Sequence, residues 1–387
     1  MKRILDFLKR VPRYIYVLLI IAAALLVLAL IPYVIRVTLE DSLIDQQAAE
    51  TWSDEGKGVS QISVFYPNGQ TNDDFGIRSL QYDISQEMIK ASLLEQGEDE
   101  KDLFVTCSSS QGIVSIARDD GKQQIKANAI GTNGDFFRFH PVRLLSGEIY
   151  SPSLLVPDHI LIDETLAWQL FGSYEIVGRT VSISGIPHTI DGVFTIPQRG
   201  FIEKKAQIPE NLCIISLSSL CQLGTIVGEE PGDNGTDAAA IGTAKIYGIR
   251  TFEIVMPNPV RNFALNILRE KIKPDDSGIV LVENSTRFSE ESLLGNLGNL
   301  FTAGIQTNPV VFPYWENIAR GYTNLFSLLY LLQLLLTVPA WCLILLCALK
   351  LWKMRTWTLS SLWQMLMDKK YDLESRMHST HDKWEHF

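Results

Sequence analysis

Hydrophobic positions fall into two uninterrupted runs with a mixed, periodic pattern between them. Residues 14–35 and 325–349 contain no charged side chain. Each run exceeds the ~20 residues that an α-helix needs to cross the hydrocarbon core of a bilayer. Between them, residues 61–66 (QISVFY) alternate apolar and polar side chains as a strand does. Ile77, Leu80, Ile84, Met88, Ile89 and Leu93 recur at helical spacing, which predicts an amphipathic helix over 76–96. Residues 103–107 and 112–117 read as two strands. Asp119-Asp120-Gly121 is turn chemistry, and 124–130 is the returning strand. A strand at 159–162, a helix over 164–171 and strands at 180–184 and 188–194 follow, the last two joined by a turn at Gly185. Further on come a strand at 251–256, a helix opened by Pro259 with Phe263, Ile267 and Leu268 on its apolar face, and a strand at 278–282. Residues 36–60 read as a polar linker or helix. The stretch 222–243 is rich in Gly and Ala, with Pro and acidic residues, and is expected to be a mobile loop. Residues 315–324 run into the second apolar run as a stalk helix. The pattern gives an α+β domain over 36–314, flanked by two transmembrane helices.

Charge orients that arrangement. Lys2, Arg3, Lys9, Arg10 and Arg13 precede the first run, and Lys350, Lys353 and Arg355 follow the second. Basic flanks stay inside, so both termini (1–13 and 350–387) are expected in the cytoplasm and the central domain outside the cell membrane. The chain has a net charge of −10, and the acidic excess is concentrated between the apolar runs. Such a surface excludes nucleic acid as a partner, since that contact needs basic side chains. The first run is longer than a signal-peptide core of about 7–15 residues and ends in Ile31-Pro32-Tyr33-Val34-Ile35, without a small-residue cleavage pattern. It reads as an uncleaved anchor in the lipid bilayer.

Candidate chemistry is sparse. His140, His159 and His188 are scattered without metal-ligand spacing and read as surface or strand-end residues; His378, His381 and His386 read as part of a polar tail. Asp163-Glu164 sits at a helix start, where carboxylates favour the positive dipole end. Of five cysteines, Cys342 and Cys347 lie in the second run. Cys107, Cys213 and Cys221 are external; a Cys213–Cys221 bridge is open, with free buried thiols favoured. No GxSxG or GxxxxGK[ST] motif occurs, so no catalytic, metal or cofactor residues are assigned. In the tail, Leu359, Leu362, Trp363 and Leu366 fall at i, i+3, i+4 and i+7, which suits an amphipathic helix on a membrane surface or against a partner. Gln333, Thr337 and Pro339 inside the second run point to helix–helix packing and a kink, and so to an oligomer or a partner permease.

One stretch carries more specific motifs. Gly134-Asp135-Phe136-Phe137 is followed by Leu144-Leu145-Ser146-Gly147-Glu148, then by Ala167-Trp168-Gln169-Leu170-Phe171-Gly172. Val177-Gly178-Arg179, Gly185 and Asp191-Gly192-Val193 complete the series. In order and spacing this resembles the periplasmic core domain of MacB/FtsX-type ABC transporter permeases, with Glu148 standing where the family often has Arg. The resemblance implies a reduced form with two membrane spans, where the family usually has four. It implies a non-catalytic membrane subunit of an ABC-type export or mechanotransmission system. ATP would bind a separate ABC ATPase subunit, docked on the Leu359, Leu362, Trp363 and Leu366 face, with a fuller permease or a homo-oligomer as further partner. Gly134, Asp135, Phe136, Gly147, Ala167, Phe171, Gly172, Gly178 and Gly192 would then be structural. The alternative is a membrane-anchored sensor or scaffold that binds through 222–243.

Overall fold

A computed structural model describes residues 11–53, 58–70, 72–93, 104–118, 121, 123–150, 158–197, 200–206, 208–227, 248–299, 310–354, 367 and 370–371. The chain divides into two compact units, residues 36–330 and residues 1–35 with 331–387.

The larger unit is built on an eleven-stranded mixed sheet. The strands are β1 (Val59–Phe65), β2 (Val105–Arg118), β3 (Gln124–Gly134), β4 (Arg143–Gly147), β5 (His159–Asp163) and β6 (Thr180–Ile183). They continue with β7 (Ile186–Thr195), β8 (Leu212–Ser216), β9 (Thr225–Ile226), β10 (Thr251–Pro257) and β11 (Val280–Glu283). Their order is β11-β1-β10-β2-β3-β8-β5-β7-β4, with β6 bridging β2 and β7 and β9 added to β2. Only β3 with β8 and β5 with β7 run parallel; the other pairs are antiparallel.

Two corrections concern the elements that open this sheet. The two strands expected at 103–107 and 112–117 are one. Ser108, Ser109 and Ser110 break the apolar pattern, yet all three are buried and continue the ladder opposite Asn133, Thr132 and Gly131. Small polar side chains can be enclosed there because their hydroxyls find carbonyls, as Ser110 Oγ does at Gly248 O, 2.7 Å away. The helix expected over 76–96 spans Asp74–Lys90 (α3 below). Asp73 caps its start by accepting from Gly76 N, and Ser92 at φ 58° ends it.

The helices of this unit are α2 (Ala48–Trp52), α3 (Asp74–Lys90), α4 (Phe136–Phe139), α5 (Glu164–Phe171) and α6 (Phe201–Lys205). Then come α7 (Leu217–Leu223), α8 (Phe263–Ile272), α9 (Pro274–Ser277) and α10 (Glu290–Leu297). The stretch 36–60 is no single linker. A helix, α1 (Arg13–Glu40), runs into it, a 3₁₀ turn at Ile44–Gln46 and α2 follow, and β1 begins at Val59. The helix assigned to Pro259 starts later, at Phe263, where Asn258 Oδ1 accepts from Ala264 N. Of the expected mobile loop, 222–223 end α7 and 225–226 form β9, where Ile226 pairs with Gly112; 228–243 lie outside the described residues. Strands β4 and β8 and helices α6, α7 and α10 were not visible in the pattern.

The core joins Ile62, Val64, Ile116, Ile160, Val193, Ile215 and Ile254 from the sheet with Ile84 and Met88 of α3 and Leu166 and Leu170 of α5. Asp163 fixes the start of α5 by accepting from Leu166 N at 2.8 Å and from Thr165 Oγ1 at 2.6 Å. Asp163→Ala is expected to lower stability by about 1 kcal/mol, read as a shift in the chemical denaturation midpoint.

The smaller unit contains most of α1 and of α11 (Tyr314–Met354). Both helices are long and apolar enough to cross a membrane. Val11 and Ile15 pack on Cys347, flanked by Leu18, Leu19, Leu351 and Met354. Only 17% and 11% of their most apolar windows are buried, leaving wide surfaces for lipid or further helices. The second apolar run starts within the domain unit: Asn324 and Ser327 contact Asn296 Nδ2, each at 3.1 Å, and the Tyr330 hydroxyl donates to Glu290 at 3.2 Å.

Candidate functional site

The motif residues singled out in the sequence do not converge on one cavity. Ala167 is core, and the Arg179 guanidinium lies 5.5 Å over the Phe171 ring. Gly172 follows α5, and Gly178 N donates to Ile190 O at 2.8 Å. Gly147 pairs with Gly192 across β4 and β7, and a side chain at Gly147 would strike the Asp191 carbonyl. Gly134 closes β3, Asp135 precedes α4, and Phe136 is buried. Leu359, Leu362, Trp363 and Leu366 lie outside the described residues.

What the Gly134-Asp135-Phe136 turn does is aim His140. The expected surface histidine is 1% exposed. Its Nδ1 is 2.9 Å from Asp45 Oδ1, and its Nε2 is 2.5 Å from Glu253 Oε2. Trp315, in the first turn of α11, covers the imidazole with ring centroids 4.2 Å apart, and Phe136 packs beside it at 4.9 Å. Glu253 in the middle of β10 also accepts from Ser63 Oγ at 2.5 Å, and the Cys107 thiol lies at 3.9 Å. His140 thus ties together the 3₁₀ turn after α1, the sheet and the start of α11.

A second ionic cluster adjoins the first through Asn284, whose Nδ2 donates to Ser63 Oγ at 2.8 Å. Arg287 grips Glu316 with both terminal nitrogens, at 2.7 and 2.9 Å. Its Nε donates to Thr323 Oγ1 at 3.0 Å. Arg320 Nε donates to the same carboxylate at 2.7 Å, and its guanidinium lies 3.6 Å over the Phe312 ring. Gln61 of β1 accepts from Ala48 N and donates to Asp45 O, both at 2.9 Å, which fixes the segment after α1.

The charges close among themselves. Asp45, Glu253 and Glu316 face His140, Arg287 and Arg320, and the sum is zero only if His140 is an imidazolium. Hydrogen bonding demands the same, because both ring nitrogens face carboxylates, and a neutral imidazole has one N–H. Burial works against that charge, but Glu253 and Asp45 outweigh it and hold the His140 pKa up to about 9. For Glu316, burial opposes ionisation and the two arginines overcome it, so its pKa lies below the ordinary value. Burial and Glu253 push the Cys107 thiol well up.

This arrangement is a buried ionic joint that links the Asp45 turn, the sheet and the first turn of α11. His140, Glu253, Arg287 and Glu316 are all buried. Among the described residues, no group of His, Cys, Asp and Glu could hold a metal ion. Cys107 and Cys213 are free, buried thiols, and Cys221 is buried in the same domain unit. His159 pairs with Asp191 at 2.8 Å, and His188, also buried, contacts Ser219 Oγ at 3.3 Å. A cleft of about 620 Å³ beside Phe201, Ile202 and Phe312 is lined, among the described residues, by one charged side chain, Lys205. The joint was missed in the sequence because its members are far apart in it. One signal was present: Glu253 is a lone carboxylate in an otherwise apolar strand, TFEIVM, and such a residue needs a buried partner.

Residues 37–243 match the family model for the MacB-like periplasmic core domain. A stretch of 79 residues is 32% identical to the macrolide export ATP-binding/permease protein MacB of Chromobacterium violaceum, covering 20% of this chain and 12% of that protein. Among solved structures, the periplasmic region of MacB from Actinobacillus actinomycetemcomitans aligns with TM-score 0.37 and 11% identity, over 61% of this chain and 95% of that one. The extracellular domain of the noncanonic ABC-type transporter YknZ from Gram-positive bacteria aligns with TM-score 0.35 and 13% identity, over 58% and 98%.

Proposed function

Because the chain belongs to the MacB-like periplasmic core domain family, we propose that it is a membrane subunit of an ABC-type export or mechanotransmission system. The family is a transporter permease component and not a catalytic one. In this reading ATP is bound and hydrolysed on a separate ABC ATPase, and both termini of this chain lie in the cytoplasm with the sheet domain outside. Basic residues at 2, 3, 9, 10 and 13 and at 350, 353 and 355 favour that orientation.

The observation that carries the reading is the joint at the start of α11. That helix begins in the domain and continues, as one element, into an apolar segment of membrane-crossing length. Its first turn is held to the domain by Glu316, bonded bidentately to Arg287 in the segment after β11, and by Trp315 on His140, which in turn bonds Glu253 of β10. A helix anchored by buried ion pairs transmits displacement, where a flexible linker would absorb it.

The test is affinity purification of the tagged full chain in mild detergent. An ABC ATPase is expected to accompany it, and Leu362→Glu with Trp363→Glu is expected to reduce that recovery at least tenfold. Recovery of the chain only as a homo-oligomer from native membranes would replace this reading with the membrane-anchored sensor or scaffold.

A further inference from the structure

We propose that parting of the joint is coupled to one proton: the first turn of α11 and the Asp45 turn separate from the sheet as His140 gives its proton to water. The inference goes beyond the transport reading and needs no ATPase.

Its basis is the pattern of hydrogen bonds. Both imidazole nitrogens face acceptor-only oxygens, Asp45 Oδ1 and Glu253 Oε2. Among the described residues, the groups that face the ring supply no other cation; Arg138 of α4 is 65% exposed and lies 3.8 Å from Asp135. Beta-strand β10 offers Glu253, β2 offers Cys107, and the 3₁₀ turn offers Asp45. Helix α4 offers the Phe136 ring, with Asp135 just before it, and α11 offers Tyr314 and Trp315. Glu316, next along α11, is already met by Arg287 and Arg320. Closed, the site therefore needs the imidazolium, whose two N–H groups donate one to each carboxylate. Opened to water, the ring has no such requirement and returns towards its ordinary pKa of about 6.5.

The sign follows from that difference. The closed-state pKa is raised, to about 9. Stabilisation of the closed joint is thus present in full below about pH 6.5 and is lost as pH rises through about 9. Acid locks the joint and alkali loosens it. If the domain lies outside the membrane, the group senses the external medium.

Cys107 is a built-in reporter, because its thiol lies beneath Glu253 and is 2% exposed. The full chain would be placed in phosphatidylcholine nanodiscs with Cys213, Cys221, Cys342 and Cys347 replaced by Ala. Its modification by a methanethiosulfonate would be followed from pH 6 to 9.5. Dividing by the rate for a peptide of the same local sequence removes the effect of thiolate formation. The normalised rate is expected to rise about tenfold per pH unit between about 6.5 and 9, and His140→Gln is expected to flatten it. A flat profile in the parent chain, or an unchanged slope in the variant, would overturn the proposal. So would equal rates and slopes at Cys213 in the matching single-cysteine chain, since that thiol is buried in β8 and reports unfolding of the sheet. Should His140→Gln fail to fold, Glu253→Gln serves instead: it leaves a partner for Nε2 but removes one charge, and the midpoint is expected to move to lower pH. Nitrogen-15 NMR of labelled histidine adds a direct check. One imidazole protonated on both nitrogens at pH 8 is expected, and finding every ring neutral would refute the idea.

Discussion

Glu316→Gln is expected to destabilise the domain by about 3–5 kcal/mol, the usual cost of removing one partner from a buried ion pair. The carboxylate is 2% exposed and accepts from Arg287 at two points and from Arg320 at a third. Glutamine keeps the shape but removes the charge, leaving the Arg287 guanidinium enclosed among neutral acceptors: the amide oxygen introduced at 316, Gln46, Asn284 and Thr323. Arg320 suffers less, because it is 43% exposed and reaches water. The paired change Arg287→Met with Glu316→Leu is expected to recover most of the loss, since apolar groups of similar volume often replace a buried pair at little cost. Chemical denaturation of the parent chain, Arg287→Met, Glu316→Leu and the double variant gives the coupling energy directly. A Glu316→Gln effect below about 1 kcal/mol would show that the pair is solvated and transmits nothing. Under the transport reading, the double variant separates roles: it restores stability but replaces a directional, bidentate grip with non-directional packing.

Gly134→Ala is expected to cost about 2–4 kcal/mol, through left-handed strain and a steric clash together. Gly134 sits at φ +72°, and an added Cβ would lie 2.5 Å from the Thr106 carbonyl oxygen and 3.2 Å from Cys107 Cα. Backbone on the neighbouring strand cannot yield as a flexible side chain does. The change also displaces Asp135 and α4, so it shifts His140 away from Glu253. Its signature would be twofold: a lower denaturation midpoint and a faster normalised modification of Cys107 at neutral pH. Gly121, with φ +65° and open space around it, is the comparison; there alanine meets strain alone and is expected to cost about 1 kcal/mol.

Legibility in the sequence tracked how local each cause was. Helix α5 was read at its observed bounds, Glu164–Phe171, because Asp163 and Gly172 mark both ends and lie next to it. The apolar helices were plain for the same reason. Strand β8 was not read, since LCIIS is a short run whose meaning comes from its parallel pairing with β3, more than 80 residues earlier. The continuous strand β2 was split at Ser108–Ser110, where burial depends on Gly131, Thr251 and Gly248. For the joint the gap was wider. His140 acquires its environment from Asp45, Glu253 and Trp315, none of them within a helical turn or a hairpin of it. The family resemblance picked out the turn that positions His140, while the histidine itself was assigned to the surface or a strand end.

The position of β1 imposes an order of events on synthesis. This strand lies between β10 and β11, antiparallel to both, and Ser63 meets Glu253 across a separation of 190 residues. At translation rates of ~5–20 residues per second, β1 waits on the order of 10–40 s for its first neighbour. Until then a strand of alternating apolar and polar residues presents two open edges, the condition under which chains pair wrongly with one another. The interior of the sheet, β2 with β3, closes locally and early, whereas the edge that receives α11 is completed last. Truncated or stalled chains ending before residue 251 would therefore emerge with β1 unpaired, and would depend on a holding chaperone to stay soluble.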